Sequence, residues 1–299
     1  MKTQTFGIEI EMTGLTRYDA AKAVAGYFGT TESYTGGTYR AYEVTDTTGR
    51  VWKLMYDASI RAEKSGGGTA DSDYRVELVS PICRYKDIET VQEIVRVLRK
   101  AGARANETCG IHIHIGANGH TARSLKNIVN IIASKEDLLF KALEVDQNRA
   151  IRWCKKVDGN LVNRLNRQSV RTETAVRREW YNGSDGASQH YHESRYHALN
   201  LHSVWQKGTI EFRCFNGTAI KHAGKIKAYI QLCLAISHQA KTQSCASARK
   251  TVTTNPKFTF RTWLIRLGLN GDEFKTARLH LLEKLDGDIA WRDNRRLAA

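Results

Sequence analysis

Two stretches of this chain alternate so strictly that they leave few folds open. In FGIEIEM, residues 6–12, Phe6, Ile8, Ile10 and Met12 fall on one side of a period-two pattern and Glu9 and Glu11 on the other, beside Gly7. In GIHIHI, residues 110–115, Ile111, Ile113 and Ile115 oppose His112 and His114. Two further segments follow the same rule. RVELV sets Glu77 between Val76 and Leu78, and TIEFRCF sets Glu211 and Arg213 against Ile210, Phe212 and Cys214. Successive side chains on a strand point to opposite faces, so each segment reads as a strand with one apolar and one polar face. That grammar belongs to an antiparallel sheet with one side on a core.

The rest of the chain fits around these strands. Ala20, Ala21, Val24 and Phe28 share a helical face over 16–28, and Ile88, Val91, Ile94, Val95 and Leu98 form an apolar stripe over 86–101. A turn-rich hairpin region leads into RVWKLMYDASI, a glycine-rich loop covers 65–73, and YRVELVSPI stops at Pro81. A helix-rich region runs from about 121 to 180, a helix covers 220–240, and a last helical unit runs from Phe258 to Trp291. Strands come first, helices interrupt, and strands return, with no βαβ rhythm and no glycine fingerprint after a strand. The expected class is α+β on an antiparallel sheet. The expected organisation is a catalytic domain over 1–240 with a helix-rich insert at about 121–190, a polar connector over 241–257, and a C-terminal helical unit over 258–299 packed on that domain.

Charge and cysteine usage narrow the class further. The formal net charge is +15, which favours anionic partners. Between Arg149 and Arg178 there are nine Lys or Arg and two acids; on a single helix Arg164, Arg167, Arg171 and Arg178 would share a face. Cys83, Cys109, Cys154, Cys214, Cys233 and Cys245 include no CxxC pair, which fits reduced thiols in a cytoplasmic protein better than a disulfide framework or a zinc knuckle. No apolar run approaches the ~20 residues of a membrane span.

The polar faces carry Glu, His and one Arg and no Lys, which is unlike an ordinary solvated face. These residue types bind hard and borderline divalent cations. Glu9 and Glu11, ~6.6 Å apart along a strand, suit two ions rather than one. Oxygen ligands with an imidazole point to Mg²⁺ or Mn²⁺ and away from a zinc site. Arg213 projects from the same face as Glu211, where a guanidinium stabilises charge on a transferring phosphoryl group. Arg195 is a second candidate for phosphate or carboxylate. A nuclease or nucleic-acid binder would use the same carboxylates for phosphodiester cleavage and the basic stretch for backbone contacts, so that alternative stays open. Cysteine catalysis by Cys109 with His112 is disfavoured, because on a strand those side chains point to opposite faces.

FGIEIEM, ELVSPI, CGIHIHIG, RYHALNLHSV and TIEFRCFNGT, in that order, resemble the amidoligase family, which is similar to the carboxylate–amine ligases, glutamine synthetase and glutamate–cysteine ligase among them. The closing FRTWLIRLGLNGDEFKTARLHLLEKLDGDIAW resembles the C-terminal helices of bacterial, mobile-element-associated members. The resemblance implies a curved antiparallel sheet of the glutamine synthetase type and ATP-dependent amide or isopeptide formation through an acyl phosphate. It implies Mg²⁺ (or Mn²⁺) held by Glu9, Glu11, Glu77, His112 and Glu211, with Arg213, His112 and Glu77 in catalytic roles. Arg195, Arg213, His114, Asp57 and Asn200 are the nucleotide- and substrate-binding candidates. Ala58 stands where the family has glycine in YDASI, which weakens the match at Asp57. Tyr196 and Asn200 fit the family's RY…N pattern, with a helix expected around them. The implied partners are an amine and a carboxylate substrate, such as an acidic peptide or glutamyl group, and the resemblance allows a homo-oligomer.

Overall fold

The computed structural model describes residues 1–290; Trp291, the expected end of the last helical unit, and residues 292–299 lie outside them. The described strands are β1 (Thr5–Met12), β2 (Glu32–Gly36), β3 (Ala41–Thr45), β4 (Val51–Met55), β5 (Val76–Val79), β6 (Cys83–Arg84), β7 (Gly110–Gly116), β8 (Leu199–Asn200) and β9 (Thr209–Asn216). They form an open antiparallel sheet of nine strands in the order β2-β3-β4-β5-β1-β7-β9-β8, with β6 paired to β1. The architecture is mixed α/β. By its contacts the chain divides into two units. One is Lys2–His114 with Phe215–Ile230; the other is Met1, Ile115–Cys214 and the chain from Gln231 onward.

In the first unit β1 takes β5 along its second half, with Glu9 opposite Val79, Ile10 opposite Leu78, Glu11 opposite Glu77 and Met12 opposite Val76. Pro81 cannot donate to a ladder, and the strand breaks there. Ser80 bridges the gap: its Oγ accepts from the Ile8 N–H at 2.9 Å and its own N–H donates to the Ile8 carbonyl at 3.0 Å. β6 then resumes the pairing at Phe6 and Thr5. The apolar side of β1, Phe6, Ile8, Ile10 and Met12, is fully buried, as are Trp52, Leu54, Val76 and Leu78.

Helix α1 (Arg17–Phe28) starts at Thr16, whose hydroxyl caps the Asp19 N–H, and ends at Gly29 in the left-handed conformation that favours glycine. It packs on β3 and β4, where Phe28 meets Trp52 with ring centroids 5.8 Å apart. Helix α2 (Ile88–Lys100) lies beside α1 and buries the expected stripe completely. Each such aliphatic side chain contributes roughly 1.5–3 kcal/mol.

The second unit is organised on α3 (Ala122–Leu143), a 22-residue helix that contacts α5 (Gly159–Leu165), α6 (Glu173–Trp180) and α10 (Lys275–Leu282). One edge of α3 is polar. Asn127 donates to the carbonyls of Ala240 and Gln243, Asn130 to that of Ala246, and Ser134 to that of Arg249. Thr251 closes the series by donating its N–H to the Ser134 carbonyl. The polar stretch after α8 (Ala223–Thr242) therefore runs as an extended strap along α3, held by side chains at helical spacing, until α9 (Pro256–Arg266) begins at its Asn255 cap.

The basic stretch departs from a single helix. Arg149 and Arg152 belong to α4 (Gln147–Arg152), Arg164 to α5, Arg167 and Arg171 to the connecting turn, and Arg178 to α6. Thr172 causes the break: its hydroxyl caps the Ala175 N–H and starts a new helix. Arg164 turns inward to the Glu179 carbonyl at 3.2 Å, so the four arginines share no helical face.

At the start of α3 the buried His120 imidazole lies 3.0 Å from Ser124 Oγ and 2.9 Å from Ser237 Oγ of α8. Burial, reinforced by Lys241, lowers its pKa to about 3. Between that value and the ordinary 6.5, the unfolded chain binds a proton that the folded one does not. The contribution of neutral His120 is therefore complete above about pH 6.5 and declines as pH falls through this window. Urea unfolding of His120→Gln between pH 6 and pH 4 is expected to show a pH slope shallower by up to ~1.4 kcal/mol per unit. An unchanged slope would remove His120 from the acid response.

Candidate functional site

The carboxylates of β1 do not face bulk water. Glu11 is 4% exposed, Glu77 8%, His112 4% and His114 6%, with Glu9 somewhat more open. The β1–β5 register sets Glu11 directly opposite Glu77. Like charges directly opposite on neighbouring strands destabilise a sheet, and burial raises that cost. A cation between them offsets both effects.

One imidazole, that of His112, stands where such a cation would need it. Donor atoms of Glu11, Glu77 and His112 all lie within 4.8 Å of one another, a separation that suits ligands on one ion. His112 Nδ1 lies 3.1 Å from Glu9 Oε2, and its Nε2 lies 3.7 Å from Glu11 Oε1. An ionised Glu9 only accepts, so Nδ1 carries the proton and, in the neutral ring, the Nε2 lone pair faces Glu11. Carboxylate partners fix metal-ligating histidines in this manner. Glu9 Oε1 is also 3.3 Å from His114 Nε2, and Glu11 Oε2 accepts from the Gly110 N–H at 2.5 Å. The set of two carboxylates and one imidazole fits Mg²⁺ or Mn²⁺.

In the second unit, Glu211 of β9 sits opposite Asn200 of β8 and accepts from its Nδ2 at 2.6 Å. Arg213 is buried, donates to the other Glu211 oxygen, and reaches the Trp153 carbonyl at 3.4 Å. A small cavity beside this pair is lined by Arg195, Asn200, His202 and Glu211, among others. Arg195 lies over the rings of Tyr191 and Tyr196, 5.3 and 5.8 Å from their centroids, and donates to the His190 carbonyl. It makes no ion pair among the described residues, so a surface salt bridge does not explain it.

The structure thus gathers Glu9, Glu11, Glu77, His112 and His114 in one unit, and Arg195, Asn200, Glu211 and Arg213 in the other. It joins Asp57 to neither: that carboxylate accepts the N–H and hydroxyl of Ser59 at 2.6 Å each. Asn200 lies on a short strand, and Tyr196 ends a 3-10 turn, where a helix was expected. The cause is local: Asn200 Oδ1 accepts the His202 N–H and holds the chain in a turn before α7 (His202–Lys207) begins. Sequence reasoning missed His202, whose Nδ1 lies 2.6 Å from the Tyr181 hydroxyl. Its only sequence signal was its place two residues after Asn200.

Cysteine chemistry finds no support. Cys109 is fully buried, and Gly217 packs so closely on it that an added Cβ would come within 2.6 Å. Burial pushes the Cys83 thiol up to about 12 and raises those of Cys154, Cys214 and Cys233.

A model of the family described as "Putative amidoligase enzyme" matches residues 2–237, and the chain belongs to that family. Membership supports a ligase-type function. No curated protein matches the chain. Among solved structures it is similar to a bifunctional glutathione synthetase from Pasteurella multocida, at 11% identity and a TM-score of 0.42, over 93% of this chain and 47% of that one. The chain spans about half the length of that protein. Among the described residues no helix is long and apolar enough to cross a membrane.

Removing one carboxylate of the Glu11–Glu77 pair is expected to weaken Mn²⁺ binding at least about tenfold. Titration of Glu77→Gln followed by electron paramagnetic resonance checks this, with circular dichroism to confirm the fold. Unchanged Mn²⁺ affinity would exclude the pair as ligands.

Proposed function

We propose that the protein is an ATP-dependent carboxylate–amine ligase of the glutamine synthetase-like type, forming an amide or isopeptide bond on a peptide or amino-acid substrate. The observation that carries this reading is the buried Glu11–Glu77–His112 group on a strand face whose other side is core. Family membership supports the same class.

Glu11, Glu77 and His112 would hold one Mg²⁺ or Mn²⁺. Glu9, and Glu211 by its match to the family motif, offer further carboxylates. Bound cations neutralise phosphate charge that would otherwise repel an incoming nucleophile. An ionised carboxylate is a poor electrophile because its oxygen is a poor leaving group. In the proposed first step that oxygen attacks the γ-phosphorus of ATP; an O–P bond forms, the bond to ADP breaks, and ADP leaves. The amine then attacks the acyl carbon, the C–O bond to phosphate breaks, and inorganic phosphate leaves. The amine proton passes to a carboxylate or imidazole of the buried face. Arg213 is the proposed stabiliser of charge on the transferring group, with Arg195 and Asn200 as contacts for phosphate or substrate. His114 completes the proposed binding set, and Asp57, which stands apart from both groups, is left out of it.

The test supplies hydroxylamine as a general amine with ATP, Mg²⁺ or Mn²⁺, and candidate carboxylates in turn: glutamate, acidic peptides and cell extract. Metal-dependent hydroxamate with matching ADP is expected, falling at least about a hundredfold in a Glu9→Gln/Glu11→Gln double variant. No hydroxamate with any acceptor, alongside metal-dependent nicking of DNA or RNA, would overturn the ligase reading in favour of a nuclease.

A further inference from the structure

A second cleft lies wholly within the second unit, between the middle of α3, the end of α8, the strap and α9. Its volume is about 560 Å³, inside the range of small-molecule sites. Of its lining residues only Ile131, Ser134 and Lys135 fall within residues 2–237, so the cleft is built largely by chain that follows the family match.

Its chemistry is one-sided. The lining includes Lys135 and Arg266 and no Asp or Glu. Among the described residues, neither cation makes an ion pair with an acid elsewhere. Lys135 Nζ donates to Thr251 Oγ1 of the strap at 2.6 Å, which fixes the ammonium without neutralising it. Burial, and to a lesser degree the charge of Arg266, lower the Lys135 pKa. The remaining polar lining is hydroxyl and amide with the Cys245 thiol; the hydroxyls of Ser134 and Thr262 donate to carbonyls, while the amides of Gln239 and Gln243 can donate to an anion. The apolar wall is Ile131, Phe258 and Trp263, and the Trp263 indole is turned by its N–H toward Gln239 Oε1 at 3.4 Å.

We propose that this cleft binds a small organic anion, a phosphate or carboxylate carried on an aromatic or aliphatic body, with the charged group between Lys135 and Arg266 and the body against Trp263 and Phe258. The site is separate from the carboxylate face of β1 and does not depend on the ligase reading. An anion there relieves the repulsion of the two cations, so binding is strongest where both are present.

Pyridoxal 5′-phosphate is a suitable probe, because it joins a phosphate to an aromatic ring and reports on the lysine itself. The unprotonated Lys135 amine attacks the aldehyde carbon, water leaves as the imine forms, and added borohydride delivers hydride to the C=N bond. Mass mapping of the full chain at limiting reagent is expected to find Lys135 labelled about tenfold above the median lysine. Phenyl phosphate or benzoate should protect Lys135, and whichever protects identifies the anion as phosphate or carboxylate. Arg266→Gln should lower the labelling by a similar factor, with circular dichroism confirming its fold. Label spread over the lysines without preference for Lys135 would overturn the proposal. So would Lys135 labelling that neither competitor nor Arg266→Gln reduces.

Discussion

The first unit depends on the burial of one side of β1, which places Glu11 beside Glu77 on the other. The strand period of two ties the core to the carboxylates, since Ile8, Ile10 and Met12 can reach the interior only if Glu9 and Glu11 face the other way. A slip of one residue in β1 would send both carboxylates into the core, at a cost that dwarfs any gain in pairing. The hydrophobic effect therefore sets the register, and the register brings the carboxylates of Glu11 and Glu77 together. Ser80 protects that arrangement by bonding both backbone groups of Ile8 where Pro81 interrupts the neighbouring strand.

The second unit uses a different device. Helix α3 buries Leu125, Ile128, Val129 and Ile132, yet it also buries Asn127, Asn130 and Ser134. Buried amides and hydroxyls destabilise a core unless their hydrogen bonds are made, and here each is made to a carbonyl of the following chain. Glu136, further along the same helix, is buried as well and satisfies its carboxylate with two partners: it accepts the Val157 N–H at 2.8 Å and the ammonium of Lys250 in the strap.

Much of the local architecture was legible because it rests on short-range periodicity. The strand read from residues 6–12 is Thr5–Met12, the helix at 16–28 is Arg17–Phe28, and that at 86–101 is Ile88–Lys100. The polar strand faces were readable for the same reason. What escaped was set by single polar bonds. The Thr172 cap divides the basic stretch, and the Asn200 turn replaces an expected helix. Nothing in the composition of residues 243–252 shows that distant asparagines hold their carbonyls. The cleft around Lys135 was illegible too, because it arises from segments far apart in sequence.

The strap is gripped through its main chain along most of its length. Asn127, Asn130 and Ser134 recognise carbonyl oxygens, which every amino acid provides, so from residue 243 to 249 the hold is indifferent to which side chains the strap displays. Lys250 and Thr251 are the exceptions, because their side chains meet Glu136 and Lys135. The letters before them are released from that duty. That part of the strap can drift, or be rewritten, while its carbonyls stay held, and the surface it presents can be retuned by exchanging residues rather than by rebuilding a backbone.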